Sequence, residues 1–185
     1  AESICADCEH LPQWVVGDAK DAATLAPGPC DFIFSCPPYG DLERYSDDER
    51  DLSTMDRAAF IPSYRQIIAV AATRLKHDRF ACFVVGDYRG DDGFYSNFVS
   101  ETIMAFHVAG LRLYNEAILL TAVGSLPVRV GRAFEAGRKL GKTHQNVLVF
   151  VKGDWKKATR ALSGTSAPAR QETAAEPDTD FDSWS

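Results

Sequence analysis

The stretch Asp31-Phe32-Ile33-Phe34-Ser35-Cys36-Pro37-Pro38-Tyr39-Gly40 decides how the rest of the chain is read. Asp31 to Ser35 is a short apolar run of the kind that forms a buried strand. Two prolines then stop it. Neither Pro37 nor Pro38 has an N–H to donate to a sheet, and Pro37 biases Cys36 toward an extended backbone. The aromatic residue Tyr39 is therefore carried on a stiff loop at the carboxyl end of a strand. Open α/β sheets bind their ligands at that end.

Outward from this stretch the chain alternates strands and helices. Before it, Trp14-Val15-Val16 reads as a short strand closed by the turn Gly17-Asp18-Ala19, with a short helix over Asp21–Leu25. After it, Gly40–Ser53 is a long polar loop, and loops of that length commonly carry function. Phe60, Tyr64, Ile67, Ile68, Ala71, Ala72 and Leu75 recur at helical spacing, so Arg57–Leu75 is read as an amphipathic helix with an N-cap among Ser53–Asp56. Lys76-His77-Asp78 is read as a turn into the strand Phe80–Val85. Helix, turn and strand make half of a parallel crossover. A second helix is expected over Phe94–Ala109, with Phe98, Ile103, Phe106 and Val108 inward and Gly110 ending it. Leu111–Leu120 reads as a strand pair or as one strand interrupted at Asn115-Glu116. Gly124–Gly141, with four glycines and no evident apolar period, reads as a loop or ribbon, and Asn146–Val151 as the last strand.

The chain of 185 residues is 45% hydrophobic, enough for one domain with a core of its own. The organisation expected is a catalytic domain over 1–160 and an acidic, disordered tail over 161–185. No run approaches a membrane span, and the first residues do not form a signal peptide. Five cysteines, an odd number, are scattered apart from Cys5-x-x-Cys8, which has no second pair. No metal site is read from them, and reduced thiols in a cytoplasmic protein are the expectation.

The formal net charge of −6 hides a strong local asymmetry. Asp41–Asp51 carries six acids against Arg44 and Arg50, and the tail five against Arg170. Arg129–Lys142 carries five bases against Glu135. That last segment is the candidate contact for a polyanion, and a merely solvated face is the competing reading.

Cys36-Pro37-Pro38-Tyr39 resembles the catalytic tetrapeptide of the amino-methyltransferases, which is Asp, Asn or Ser, then Pro-Pro, then an aromatic residue. Tyr114–Thr121 is similar to the strand of the family's eighth motif. Tyr45-Ser46-Asp47-Asp48, Asp51-Leu52-Ser53 and Arg138–Gly153 are similar to segments of phage- and prophage-associated DNA modification methylases. The resemblance spans roughly Pro12 to Lys157.

It implies a Rossmann-like α/β sheet, mostly parallel with an antiparallel strand near the C-terminus and incomplete at the N-terminus. It implies methyl transfer from S-adenosylmethionine to the adenine N6 or cytosine N4 amine of a flipped-out base. In that reading Cys36, Pro37, Pro38 and Tyr39 form the catalytic loop, with the Tyr39 ring stacked on the base and opening onto a cavity beside Asp18. Asp18, Ser35 and Asp87 lie toward the cofactor; a turn for Asp18 and a helix cap for Asp87 are the alternatives. Arg129, Arg132, Arg138, Lys139 and Lys142 contact DNA.

The chain departs from the family at Cys36, because a thiol is a weak acceptor. Packing, or attack on a pyrimidine ring as in the cytosine C5 enzymes, are the other readings of that residue, although those enzymes place the cysteine after the proline. His144 reads as a residue starting a strand, or else as a base. The family's glycine-rich cofactor loop has no counterpart here, so the reading calls for a further N-terminal segment or a homodimer partner and expects weak cofactor binding by this chain alone. An RNA or protein-glutamine methyltransferase, or an inactive nucleic-acid-binding fragment, are the alternatives.

Overall fold

The computed structural model describes residues 12–26, 28–39, 44–90, 92–120 and 126–163, with 126–129 as backbone only. Cys5, Cys8, Gly40, most of the tail and the side chain of Arg129 lie outside the described residues.

Four strands form one sheet: β1 (Cys30–Ser35), β2 (Leu75–Val85), β3 (Leu111–Leu120) and β4 (His144–Lys152). Their spatial order is β1-β2-β4-β3. β1 and β2 are parallel, while β4 is antiparallel to both of its neighbours. The expectation of a mostly parallel sheet is corrected in this sense. Three strands do share one direction, but the reversed β4 lies between two of them, so two of the three pairings are antiparallel.

The helices are α1 (Ala22–Leu25), α2 (Arg57–Arg74), α3 (Phe98–Val108), α4 (Leu126–Gly137) and α5 (Trp155–Ala161). α2 begins where Asp56 accepts a hydrogen bond from the Ala59 N–H, the usual function of an N-cap carboxylate. Its residues Phe60, Tyr64, Ile68 and Ala72, four apart, are all buried. They meet α3 through Phe98, whose ring centroid lies 5.5 Å from Phe60 and 5.0 Å from Tyr64. The Tyr64 hydroxyl is 3.0 Å from Thr102 Oγ1, which donates to the Phe98 carbonyl at 2.9 Å. Burial pushes the Tyr64 phenol above its ordinary pKa, and Thr102 is the partner that a buried hydroxyl needs. Phe106 stacks on Phe150 at 4.0 Å and meets Phe83 edge-on, joining α3 to β4 and β2. Truncating a ring such as Phe98 would cost about 3–5 kcal/mol.

The expected helix over Phe94–Ala109 starts later, at Phe98, because Asn97 takes a left-handed conformation (φ 56°) and Arg89 forms a bridge with Tyr95. Phe94 and Val108 are exposed rather than core residues. Gly110 ends α3 at φ 86°, a conformation that suits glycine. Lys76–Asp78 is not a turn before β2 but an irregularity inside it, where the register against β1 jumps between Cys30 and Phe32. Asp31 ties that bulge down by accepting from Lys76 at 2.7 Å and Arg79 at 2.9 Å. Leu111–Leu120 is one strand, irregular between Leu113 and Asn115.

Three further differences have physical causes. Trp14-Val15-Val16 is not a strand: the residues are exposed and no described strand offers them a ladder partner. Residues 126–137 are helical, not a loop. Leu126, Val130, Ala133 and Phe134 do recur at spacings of three and four, a period that Gly131 and Gly137 obscure. Each interior glycine costs a helix only about 1 kcal/mol. Finally, α5 lies at the border of the segment read as tail. Asp154 caps it by accepting from Lys156 and Lys157, and Ala158 is buried in a cluster with Phe80 and Val151.

Among the described residues β1 is an edge of the sheet. Phe32 and Phe34 on it are 53% and 64% exposed, unusual for phenylalanines at strand positions.

Candidate active site

β1 and β2 end side by side, with Ser35 opposite Phe83. The residues that follow them carry the site. Cys36 is exposed, while Pro37, Pro38 and Tyr39 are half-buried. After β2 come Gly86 and then Asp87, whose Oδ1 accepts from the Val99 N–H at 3.3 Å. Asn97 makes no side-chain cap of its own, so Asp87 serves the first turn of α3 in its place. The structure thus gives Asp87 the capping contact, and Asp87 lines neither of the two hollows described next.

The first hollow, about 450 Å³, lies against Pro38. Asp18 and Gly17 form one wall, Val16, Leu52 and Ile67 give it apolar surface, and Tyr45, Asp48 and Asp51 close it from the acidic loop. Asp18 caps a short 3-10 turn through Oδ1, which accepts from the Lys20 N–H at 2.9 Å. A carboxylate has acceptor capacity beyond one such bond. The acidic loop is tightly tied. Asp51 accepts from the Ser53 N–H at 2.9 Å and from Ser46 Oγ at 2.7 Å, and Ser53 is buried and accepts from the Tyr45 N–H. These bonds hold the Asp51 carboxyl below its usual range. The Arg50 guanidinium, at 2.7 Å, holds Asp48 down at about 2. Among the loop's described acids, Asp48 and Asp51 are therefore bound into internal turns and caps that build a wall. Sequence reading assigned these residues no role in the site, although the regular placing of Ser and Asp was a turn signal.

Tyr39 leans away from that hollow. Its ring meets Phe98 edge-on at 6.0 Å, its hydroxyl accepts from Gln145 Nε2 at 2.6 Å, and Cys36 Sγ is 3.9 Å from the same hydroxyl. Tyr39 is not among the residues lining the Asp18 cavity; its neighbour Pro38 is. The expectation that the ring opens onto that cavity, on which the base-stacking reading leaned, is corrected. Consecutive side chains of an extended loop point to opposite sides, so Pro38 and Tyr39 face different surroundings.

The second hollow, about 300 Å³, is lined by Arg89, Val130, Ala133, Lys139, Leu140, Gly141 and Lys142. It joins the loop after β2 to the segment between α4 and β4. Lys139 and Lys142 come together here as a basic patch. Arg132 and Arg138 are exposed but do not line it; Arg138 packs over the Phe134 ring and turns the chain after α4 at φ 53°. Arg89, which sequence reading missed, lies over the Tyr95 ring at 4.2 Å and donates to the Gly93 carbonyl at 3.0 Å. Its position two residues after Asp87, past a strand end, was the available signal. His144 is half-buried as the first residue of β4, opposite Leu120. Among the described residues no cluster of three metal-ligating side chains occurs, and no helix is long and apolar enough to cross a membrane.

No protein-family model matches the sequence, and no curated protein matches it. Solved structures do. A putative DNA modification methylase of Thermus thermophilus superposes with a TM-score of 0.54 at 16% identity, over 84% of this chain and 56% of that one. The PvuII DNA methyltransferase, which is cytosine-N4-specific, gives a TM-score of 0.55 at 15% identity over 76% and 49%. M1.HpyAVI in complex with S-adenosylmethionine gives 0.50 at 14% over 78% and 55%. The chain therefore has the mixed α/β fold of DNA methyltransferases, and it spans about half the length of the structures it matches.

Proposed function

We propose that the protein is an S-adenosylmethionine-dependent DNA methyltransferase that acts on an exocyclic amine, adenine N6 or cytosine N4, of a base taken out of the duplex. The observation that carries this reading is the position of Cys36-Pro37-Pro38-Tyr39. The loop ends the parallel pair of a methyltransferase-like sheet, with a cavity holding a carboxylate on its Pro38 side and an anchored aromatic ring on the other.

The residues present suit the adenosine end of the cofactor. The Asp18 cavity combines apolar walls with a half-buried carboxylate, which would accept from an adenine amine. When bound, S-adenosylmethionine supplies an electrophilic methyl on its sulfonium. The protein's own task is then to make the target amine a better nucleophile. An exocyclic amine is poor because its lone pair is delocalised into the ring. Acceptors that take up its N–H bonds shift electron density back to nitrogen. Pro37 and Pro38 have carbonyls but no N–H groups, so the loop is rich in acceptors. Cys36 contributes little of this, which places the demand on backbone carbonyls and on Ser35, half-buried at the strand end. Tyr39 supplies a flat ring to receive the flipped base.

Lys139, Lys142 and Arg89, with Arg129, Arg132 and Arg138 nearby in sequence, take the DNA backbone, a role suited to long cationic side chains. The alternative substrates, RNA and protein glutamine, are separated by assay. Full-length protein is incubated with S-adenosylmethionine carrying a tritiated methyl and with DNA, RNA and protein side by side. Label on an exocyclic amine after DNA digestion is the expected result. Label in RNA or protein alone would overturn the DNA reading.

A further inference from the structure

We propose that Gln145 is a positioning residue for Tyr39, holding the ring in one orientation so that an incoming base meets a preset surface. The proposal rests on the methyltransferase reading above for what Tyr39 does, but on contacts alone for what Gln145 does.

Tyr39 follows two prolines on a loop outside the sheet, where Cys36 Sγ lies 3.9 Å from its hydroxyl. Two further contacts come from distant elements. Phe98, on α3, meets the ring edge-on at 6.0 Å. Gln145, 106 residues away in sequence, donates from Nε2 to the hydroxyl at 2.6 Å. Gly86 lies beside both: a Cβ there would meet Gln145 Cγ at 3.7 Å and the Tyr39 ring at 3.9 Å, ordinary contact distances. Gln145 is well placed to hold a lever. It is the second residue of β4 and lies opposite Leu119 on β3, one residue past Asn146, where the pairing of β4 with β2 ends. The hydroxyl is the point of the ring farthest from the backbone, and it lies on the ring's own axis, so a bond there restrains the swing of the ring about Cα–Cβ and leaves rotation about that axis to the ring's neighbours. Gln145 limits the swing of the ring about Cα–Cβ, while the edge-on contact with Phe98 bears on its tilt.

A base that stacks on a mobile ring must first order it. A base that stacks on a held ring does not, and geometry fixed in advance favours the transfer step. DNA affinity is a separate matter, because phosphate contacts dominate it. Loss of the Gln145 bond is therefore read in turnover and not in DNA binding. Nothing in the sequence pointed to this residue. It lies in an ordinary polar Thr-His-Gln-Asn run, and its partner is known only from the fold.

The test uses full-length protein with two variants that approach the same bond from opposite ends. Gln145→Met keeps an unbranched side chain without the donor, and Tyr39→Phe removes the acceptor without touching β4. Each is expected to lower kcat about fivefold, the worth of one hydrogen bond, with KM for DNA unchanged. The double variant is expected to be no worse than either single one. Unchanged kcat in Gln145→Met, or losses that multiply in the double variant, would overturn the proposal. A second readout does not depend on activity. In ring-labelled tyrosine NMR, the Tyr39 signal is assigned by its loss in Tyr39→Phe, and the through-space contacts of its ring protons with the Phe98 ring should weaken in Gln145→Met as the ring swings about Cα–Cβ. Contacts of wild-type strength in Gln145→Met overturn the proposal. Weakened contacts in a protein that methylates no DNA support the Gln145 link while refuting the function assigned to the loop.

Discussion

The two hollows differ most in how their charges are spent. Around Asp18 and the acidic loop, carboxylates are occupied by the protein itself: Asp18 by Lys20, Asp48 by Arg50, Asp51 by Ser46 and Ser53. Around Arg89, Lys139 and Lys142, no described ion pair engages the cations. A formal charge of −6 would steer the chain away from DNA if charge were spread evenly. The structure shows that much of the described negative charge is tied into local turns, while positive charge collects in one concavity. Local sign, not the total, decides what each surface attracts.

This contrast is broken most sharply at the loop between the two. Tyr39→Ala in the full-length protein should lower turnover about a hundredfold and leave DNA affinity nearly unchanged. Single-turnover methyl transfer beside a DNA-binding titration measures both. Equal loss of the two would remove the base-stacking role. Asp18→Ala should weaken S-adenosylmethionine binding about thirtyfold, because it deletes a charged acceptor, with no effect on DNA binding. Calorimetry decides this, and weakened DNA binding would merge two sites that are separate here. The double change Lys139→Ala and Lys142→Ala should flatten the slope of log affinity against log salt by ~1.8, with cofactor binding untouched. An unaltered slope would make the second hollow a solvated face and no more.

The smallest effect concerns acid. Asp48 and Asp51 have lowered pKa values in the fold, so the order they give the loop is fully present above the ordinary aspartate range. It is lost as pH falls through the lowered values, near 2 for Asp48. The Ser53 amide, followed by NMR, should keep its folded shift at about pH 5 and lose it only well below about pH 4, the ordinary aspartate range. Loss already at the higher of these would mean that these carboxylates do not hold the wall of the cavity.

Much of the fold was legible because local rules dominated it. The four-residue spacing of Phe60, Tyr64, Ile68 and Ala72 needs no neighbour to announce a helix, and Gly110 announces the stop of α3. Where local and tertiary terms compete, reading from sequence failed. The glycines of α4 masked a period that the fold uses, and Trp14–Val16 had strand residues without a strand to pair with among the described residues. The site divides in the same way. Pro37-Pro38-Tyr39 was visible as a stiff loop past a strand, since proline acts on its own backbone. Arg89 and Gln145 were not, because Arg89 belongs to no motif, nothing singles Gln145 out within Arg138–Gly153, and each acquires its role only from what the fold brings beside it.

By itself the sequence determined the elements that short-range forces specify: the amphipathic α2, the rigid turn after β1, and the segregation of acids from bases. Only the tertiary structure decided that β4 inserts in reverse between β2 and β3, which carries Gln145 to the Tyr39 hydroxyl. It alone decided that Pro38 and Tyr39 face different surroundings. The physical reason is one of range. Backbone sterics and helical periodicity act within a few residues, whereas strand order and the direction of a half-buried ring depend on contacts across the whole chain.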